Sequence, residues 1–230
     1  MAEVFSLLQR RLEDLYRIHG APEVGPFCMD DEHLELLGPE ASGRREALMV
    51  HQEEGSETAD VGLFVATNVR QAAERFLAEA ESLFRCEASP RRTRGEGSSR
   101  RTRARGSIDA FCVALEGVSH FLYFTFSSQR RPVSLIELEL QAEVDKFLVL
   151  RLHFDVPDLL ETLFDRISFD ESLLPEVLDR YKVANDRARR YARWLDRTIR
   201  RGGTHDALED ARHLYRKPFQ EKLEHIARAA

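Results

Sequence analysis

Cysteine is scarce in this chain. Three are present in 230 residues, Cys28, Cys86 and Cys112, and no two form a C-x-x-C pair. An odd count without that spacing argues against a disulfide framework and a zinc ribbon, and it predicts reduced thiols packed as small apolar side chains. The Gly-rich signatures are missing too: no G-x-x-x-x-G-K-[ST], no G-x-G-x-x-G and no G-x-S-x-G. P-loop, dinucleotide and α/β-hydrolase chemistries therefore have no support. The N-terminal stretch has no basic segment leading into an apolar one. The longest apolar run, Phe111–Phe126, falls short of the ~20 residues of a spanning helix and carries Glu116 and His120. These absences lead us to expect a soluble, cytoplasmic protein without a membrane span. No internal repeat is visible.

What is present is a globular composition, 43% hydrophobic and 32% charged. The net charge of −6 conceals an asymmetry: residues 85–106 hold eight Arg against two Glu, a local +6 that leaves −12 for the remainder. The acidic body disfavours general nucleic-acid binding, while the basic island, with Arg91, Arg92, Arg94, Arg100, Arg101, Arg103 and Arg105, could act locally on phosphates or an acidic partner. No aromatic residues interleave these arginines for base stacking.

Hydrophobic spacing predicts a helix over 2–18, ended by Gly20 and Pro22. Residues 47–51 and 61–65 read as a β-hairpin around the polar 53–60 loop, with Pro26–Leu37 as the source of a third strand. Asn68 is placed to cap a helix over 69–84. The segment 86–107 is too poor in large apolar residues to offset its ordering entropy and reads as a disordered loop. A helix apolar almost all round follows over 108–127. In 134–154 a period-two pattern competes with the Ser134–Glu137 capping box and the Val133–Leu138 staple; the box and the helix formers that follow predict a helix over 135–150, with 152–156 extended. A short helix from Pro157 to about Ile167, a long one from Pro175 with the seam Val177, Tyr181, Ala184, Ala188, Tyr191, Leu195, and two more over 205–214 and 218–228 complete the chain.

The segments with chemical potential are 108–127 and 135–150. Glu116 and His120 stand one helical turn apart, as do Glu139 and Glu143 on the next helix, and Ser119 adjoins the first pair. One imidazole with two or three carboxylates can hold a divalent metal. From Glu116 to Glu143 the chain resembles the active-site helices of zinc peptidases that carry HExxH and a glutamate ligand on the next helix. Aligned on His120, the resemblance puts Glu116 at the first histidine, Gly117 at the catalytic glutamate, and Glu139 or Glu143 at the third ligand. It implies a degenerate relative, because one ligand histidine and the general base are absent. The competing structural account is a buried ion pair, Glu116 with an arginine and His120 with a carbonyl.

On the long helix, Arg180, Arg187, Arg190 and Arg197 lie near one side, where salt bridges to the acidic body are expected. Trp194 beside the seam reads as core. His205, His213 and His225 have no metal-ligand spacing and read as surface or capping residues.

The expected fold is α+β and predominantly helical: a small N-terminal sheet packed on helices (1–84), the arginine-rich segment (85–107), and a helical core and bundle (108–230) forming one compact domain with the first part. The expected function is that of a non-catalytic binding or regulatory protein with a protein partner. The alternatives are a metal-dependent hydrolase or degenerate zinc-peptidase-like protein built on Glu116, His120, Glu139 and Glu143, and a nucleic-acid-associated protein using the arginine-rich segment.

Overall fold

A computed structural model describes residues 3–36, 44–53, 58–86, 97–154, 156–167 and 174–229. The fold is α+β and predominantly helical. Its elements are α1 (Glu3–Tyr16), β1 (Cys28–Met29), α2 (Asp31–Leu36), β2 (Glu46–His51), β3 (Asp60–Val65), α3 (Thr67–Cys86), α4 (Gly97–Ser127), α5 (Leu135–His153), α6 (Pro175–Arg200), α7 (Thr204–Tyr215) and α8 (Phe219–Ala229). The chain forms two compact units. The first comprises residues 1–7 and 23–118, the second 8–22 and 119–230. The division falls inside α4, between Val118 and Ser119.

In the first unit the expected hairpin is present, β2 antiparallel to β3 with Leu48 opposite Leu63, and β1 adds the third strand parallel to β3. Gly117 explains how α4 meets this sheet. A Cβ there would stand 3.0 Å from Glu46 Cγ, 3.0 Å from Leu63 Cδ1 and 3.2 Å from Val65 Cγ2. The helix thus needs a residue without a side chain at that point. Phe76 of α3 packs against Phe111 of α4, ring centres 4.9 Å apart.

Three local expectations require correction. Helix α4 starts at Gly97 rather than at 108, so 97–107 are helical; Arg and Ala are good helix formers and can extend a helix anchored further on. Residues 87–96 lie outside the described residues, and with them Arg91, Arg92 and Arg94. Asn68 falls inside α3 and accepts from the Val69 N–H, so it does not sit before the helix. Ser134 occupies the N-cap of α5 in extended conformation, but its side chain makes no capping bond. The Glu137 carboxylate that would complete a capping box is taken by Arg131 and Tyr123 instead.

The second unit is a helical assembly around α5 and α6. The helical reading of 135–150 holds, and α5 continues to His153. Its core includes Phe121, Leu122, Phe147, Leu148, Leu150, Ala188, Tyr191 and Leu195, each fully buried. A buried side chain of the Leu or Phe class contributes about 1.5–3 kcal/mol. The seam of α6 is as expected from Ala184 to Leu195, and a short π-type turn at Glu161–Asp165 stands where a short helix was expected. Ile108–Ser127 is long and apolar enough to cross a membrane by length and composition, yet most of it is buried within the protein.

Candidate functional site

The centre of the second unit is polar. Helix α5 is buried around most of its circumference, and its polar side chains find partners on α5 itself and on the helices around it. This satisfies the rule that buried polar groups must be hydrogen-bonded.

The densest group surrounds Asp145, which is 1% exposed. Its Oδ2 accepts from the Ser119 hydroxyl at 2.6 Å, and its Oδ1 accepts from the Tyr16 hydroxyl and from Gln141 Nε2, the latter at 2.7 Å. Gln141 Nε2 also donates to the Tyr16 oxygen at 3.1 Å. The other end of the same amide, Oε1, accepts from Lys222 Nζ at 2.5 Å. Lys222 has no exposed surface. Its ammonium lies 4.4 Å from the centre of the Tyr123 ring and 5.7 Å from that of Tyr215. Tyr215 stacks on Tyr16 at 4.0 Å, and its own hydroxyl is buried without a hydrogen-bond partner among the described residues.

Burial sets the titration of this group. It pushes the Asp145 carboxyl up to about 6, against the opposing pull of the Ser119, Tyr16 and Gln141 hydrogen bonds and the Lys222 charge. It pushes Lys222 down to about 7, opposed by Glu137 and Asp145. The Tyr16 hydroxyl is raised well above its ordinary value by burial and by the neighbouring Asp145.

A second group borders the first. Glu137 is 2% exposed; it accepts from Tyr123 at 2.6 Å and is held by the guanidinium of Arg131 on both carboxylate oxygens. Arg131 also donates to the Tyr123 oxygen at 2.9 Å and to the Lys217 carbonyl at 3.2 Å. Bidentate arginine–carboxylate pairing of this kind is strong and geometrically specific.

Of the residues expected to form a metal site, His120 and Glu139 meet: His120 Nε2 is 3.6 Å from Glu139 Oε2. The other Glu139 oxygen faces Arg180 Nε at 3.7 Å. Glu143 accepts from Lys146 Nζ at 2.6 Å. Glu139 and Glu143 thus each have a cation beside them. Glu116 lies on α4 in the first unit, half-buried, with its carboxylate within 4.8 Å of that of Glu46. Ser119 belongs to the Asp145 group. Arg100, Arg101, Arg103 and Arg105 lie on the first turns of α4.

Salt bridges on α6 account for only part of its charge. Besides Arg180, Arg190 pairs with Asp186 and Arg200 with Asp196, which also receives Arg151 from α5. Arg187, Arg193 and Arg197 make no ion pair with a described residue, and the last two are exposed. Trp194 is half-buried and stacked over Tyr191, ring centres 5.8 Å apart. Cys28 and Cys112 form no disulfide with a described residue; Cys28 donates to the Val24 carbonyl and its thiol is pushed up by burial.

Sequence reasoning passed over Gln141, Asp145 and Lys222. The signal was there for the lysine, because Phe219, Lys222 and Ile226 share one face of α8. A lysine on an apolar seam marks a buried cation. Comparison with known proteins found no match among family models, curated proteins or solved structures.

Proposed function

We propose that this is a non-catalytic binding or regulatory protein that engages an acidic protein surface through the outer face of α6. The observation that supports this most is the set of arginines on the C-terminal half of the helix. Arg187, Arg190, Arg193, Arg197 and the capping Arg201 project within one arc, and only Arg190 has an ion pair with a described residue. Their acidic neighbours on the helix are few, in a chain whose overall charge is −6. An unneutralised basic stripe on an acidic protein attracts a complementary acidic partner and orients its approach. The buried groups that could otherwise do chemistry are engaged with one another, as Asp145 and Glu137 illustrate.

The test is fluorescence anisotropy with a Glu-rich helical peptide, alongside an RNA duplex of similar charge. Peptide binding that weakens with salt and drops at least about tenfold in Arg193→Glu/Arg197→Glu supports the proposal. Absence of peptide binding, or preference for the duplex, overturns it.

A second reading, a metal-dependent hydrolase or a degenerate relative, draws on the 3.6 Å approach of His120 to Glu139. The cations beside Glu139 and Glu143 weigh against it, since they oppose a divalent ion at the same carboxylates. Metal-dependent turnover abolished by His120→Ala would favour this reading over the first.

A further inference from the structure

The histidines of α7 and α8 have no ligand spacing in the sequence, yet folding brings two of them together. His213 of α7 and His225 of α8 have ring centres 5.8 Å apart at an interplanar angle of 58°. Two imidazoles sharing one tetrahedral zinc, at about 2.0–2.1 Å per bond, hold their ring centres roughly 5–6 Å apart. His213 is exposed, and neither of its nitrogens makes a hydrogen bond or ion pair with a described residue.

His225 carries a second, independent mark. Its Nε2 lies 2.9 Å and 3.0 Å from the two carboxylate oxygens of Asp210. Asp210 is fixed in turn by the Tyr191 hydroxyl, which donates to it at 2.5 Å. The Tyr191 ring also meets His225 edge-on at 6.2 Å. A carboxylate only accepts, so Nε2 is the donor here, and in the neutral ring Nδ1 is left with the lone pair that a metal needs. Metal-binding histidines are commonly held in this way, and the carboxylate makes the ring a better donor.

We propose that His213 and His225 form a binding site for a zinc-class divalent ion, with His225 Nδ1 and one nitrogen of His213 as the protein ligands and Asp210 as the positioning carboxylate. Imidazole ligation selects zinc, copper and nickel over magnesium and calcium. Two protein ligands leave coordination positions for water or for a carboxylate from another molecule. An ion here would tie α7 to α8 across the turn at Pro218.

The experiment uses the full chain, purified without a histidine tag, stripped with chelator and titrated with zinc chloride by calorimetry. The expected result is one zinc per chain, with affinity falling at least about tenfold in His213→Ala and again in His225→Ala. Asp210→Asn, which keeps both ligands, should weaken binding by about 10- to 100-fold. His205→Ala, on the same helix, should leave it unchanged. Because His213 is exposed, its variant should melt like the metal-free parent, which separates ligand loss from unfolding. Absence of stoichiometric zinc, or binding unaffected by both histidine variants, overturns the proposal. Zinc lost in His120→Ala but kept in His213→Ala would instead place the ion with Glu139. None of these outcomes bears on whether α6 binds an acidic peptide.

Discussion

Lys222 donates its ammonium to Oε1 of Gln141, and Nε2 of that glutamine donates to Asp145. A single side-chain amide therefore connects a fully buried cation to a fully buried carboxylate. The link is stiff, because flipping the amide would turn donor against donor at one end and acceptor against acceptor at the other. The two ends should titrate against folding in opposite directions.

For Lys222 the folded state sits near 7 and the ordinary value is 10.5. Between those values the unfolded chain binds more protons, so stability rises with pH across that window. Lys222→Met keeps the length of the side chain and removes the proton. Unfolding free energies from urea denaturation at pH 7 and pH 9.5 should differ in the parent by an amount on the order of a few kcal/mol relative to the variant.

Asp145 works the other way. Its carboxyl is raised to about 6 from 3.8, so the folded state holds the extra proton between those values, and stability falls as pH rises through them. Asp145→Asn should flatten that slope. Ser119→Ala removes the 2.6 Å donor, should push the carboxyl higher still, and should cost about 1–3 kcal/mol at pH 7. Chemical denaturation over pH 4–7 reads both effects.

Arg131 stands partly exposed over a carboxylate that is not. Replacing it with methionine leaves Glu137 charged and buried, at a cost of about 3–5 kcal/mol. The double variant Arg131→Met/Glu137→Gln should recover much of that loss. Equal destabilisation of the single and double variants, read from thermal melts, would mean that the pair matters through packing alone.

Gly117→Ala should destabilise the first unit by about 1–3 kcal/mol, because its Cβ would press on Glu46, Leu63 and Val65 at 3.0–3.2 Å. Trimming the opposing side chain with Leu63→Ala in the same molecule should make the alanine less costly than it is alone. Thermal melts of the four proteins in this cycle test the coupling.

Periodicity made the helices and the hairpin legible. The 3.6-residue seam of α6 and the two strands appear where their apolar spacing put them. For α5 the helix formers outweighed the alternating pattern because the period-two leucines lie on a helix buried on several sides. The Asp145 group was hidden for a different reason. Its members come from α1, α4, α5 and α8, and no local window holds more than two of them. His120 and Glu139 were legible as members of one set with Glu116 and Glu143, since each stands out within an apolar helix, but not as the two that meet. Arg180, which faces the same carboxylate, was read only as part of a charged helix face.

The second unit joins residues that are far apart along the chain. Tyr16 meets Asp145 across a separation of 129 residues, and Arg212 donates to the Leu15 carbonyl across 197. A nascent chain that has made α1, α4 and α5 can close the first of these bonds, but it must wait for α7 to close the second and for α8 to bring Lys222 to Gln141. Until then Asp145 and Gln141 lack Lys222, and the carbonyls at the end of α1 lack their arginines. Contacts of this range make folding slow, and they make the half-made unit the species most open to aggregation. Refolding should accordingly show a late phase in which the tyrosines around Lys222 become buried, after most of the helix has formed.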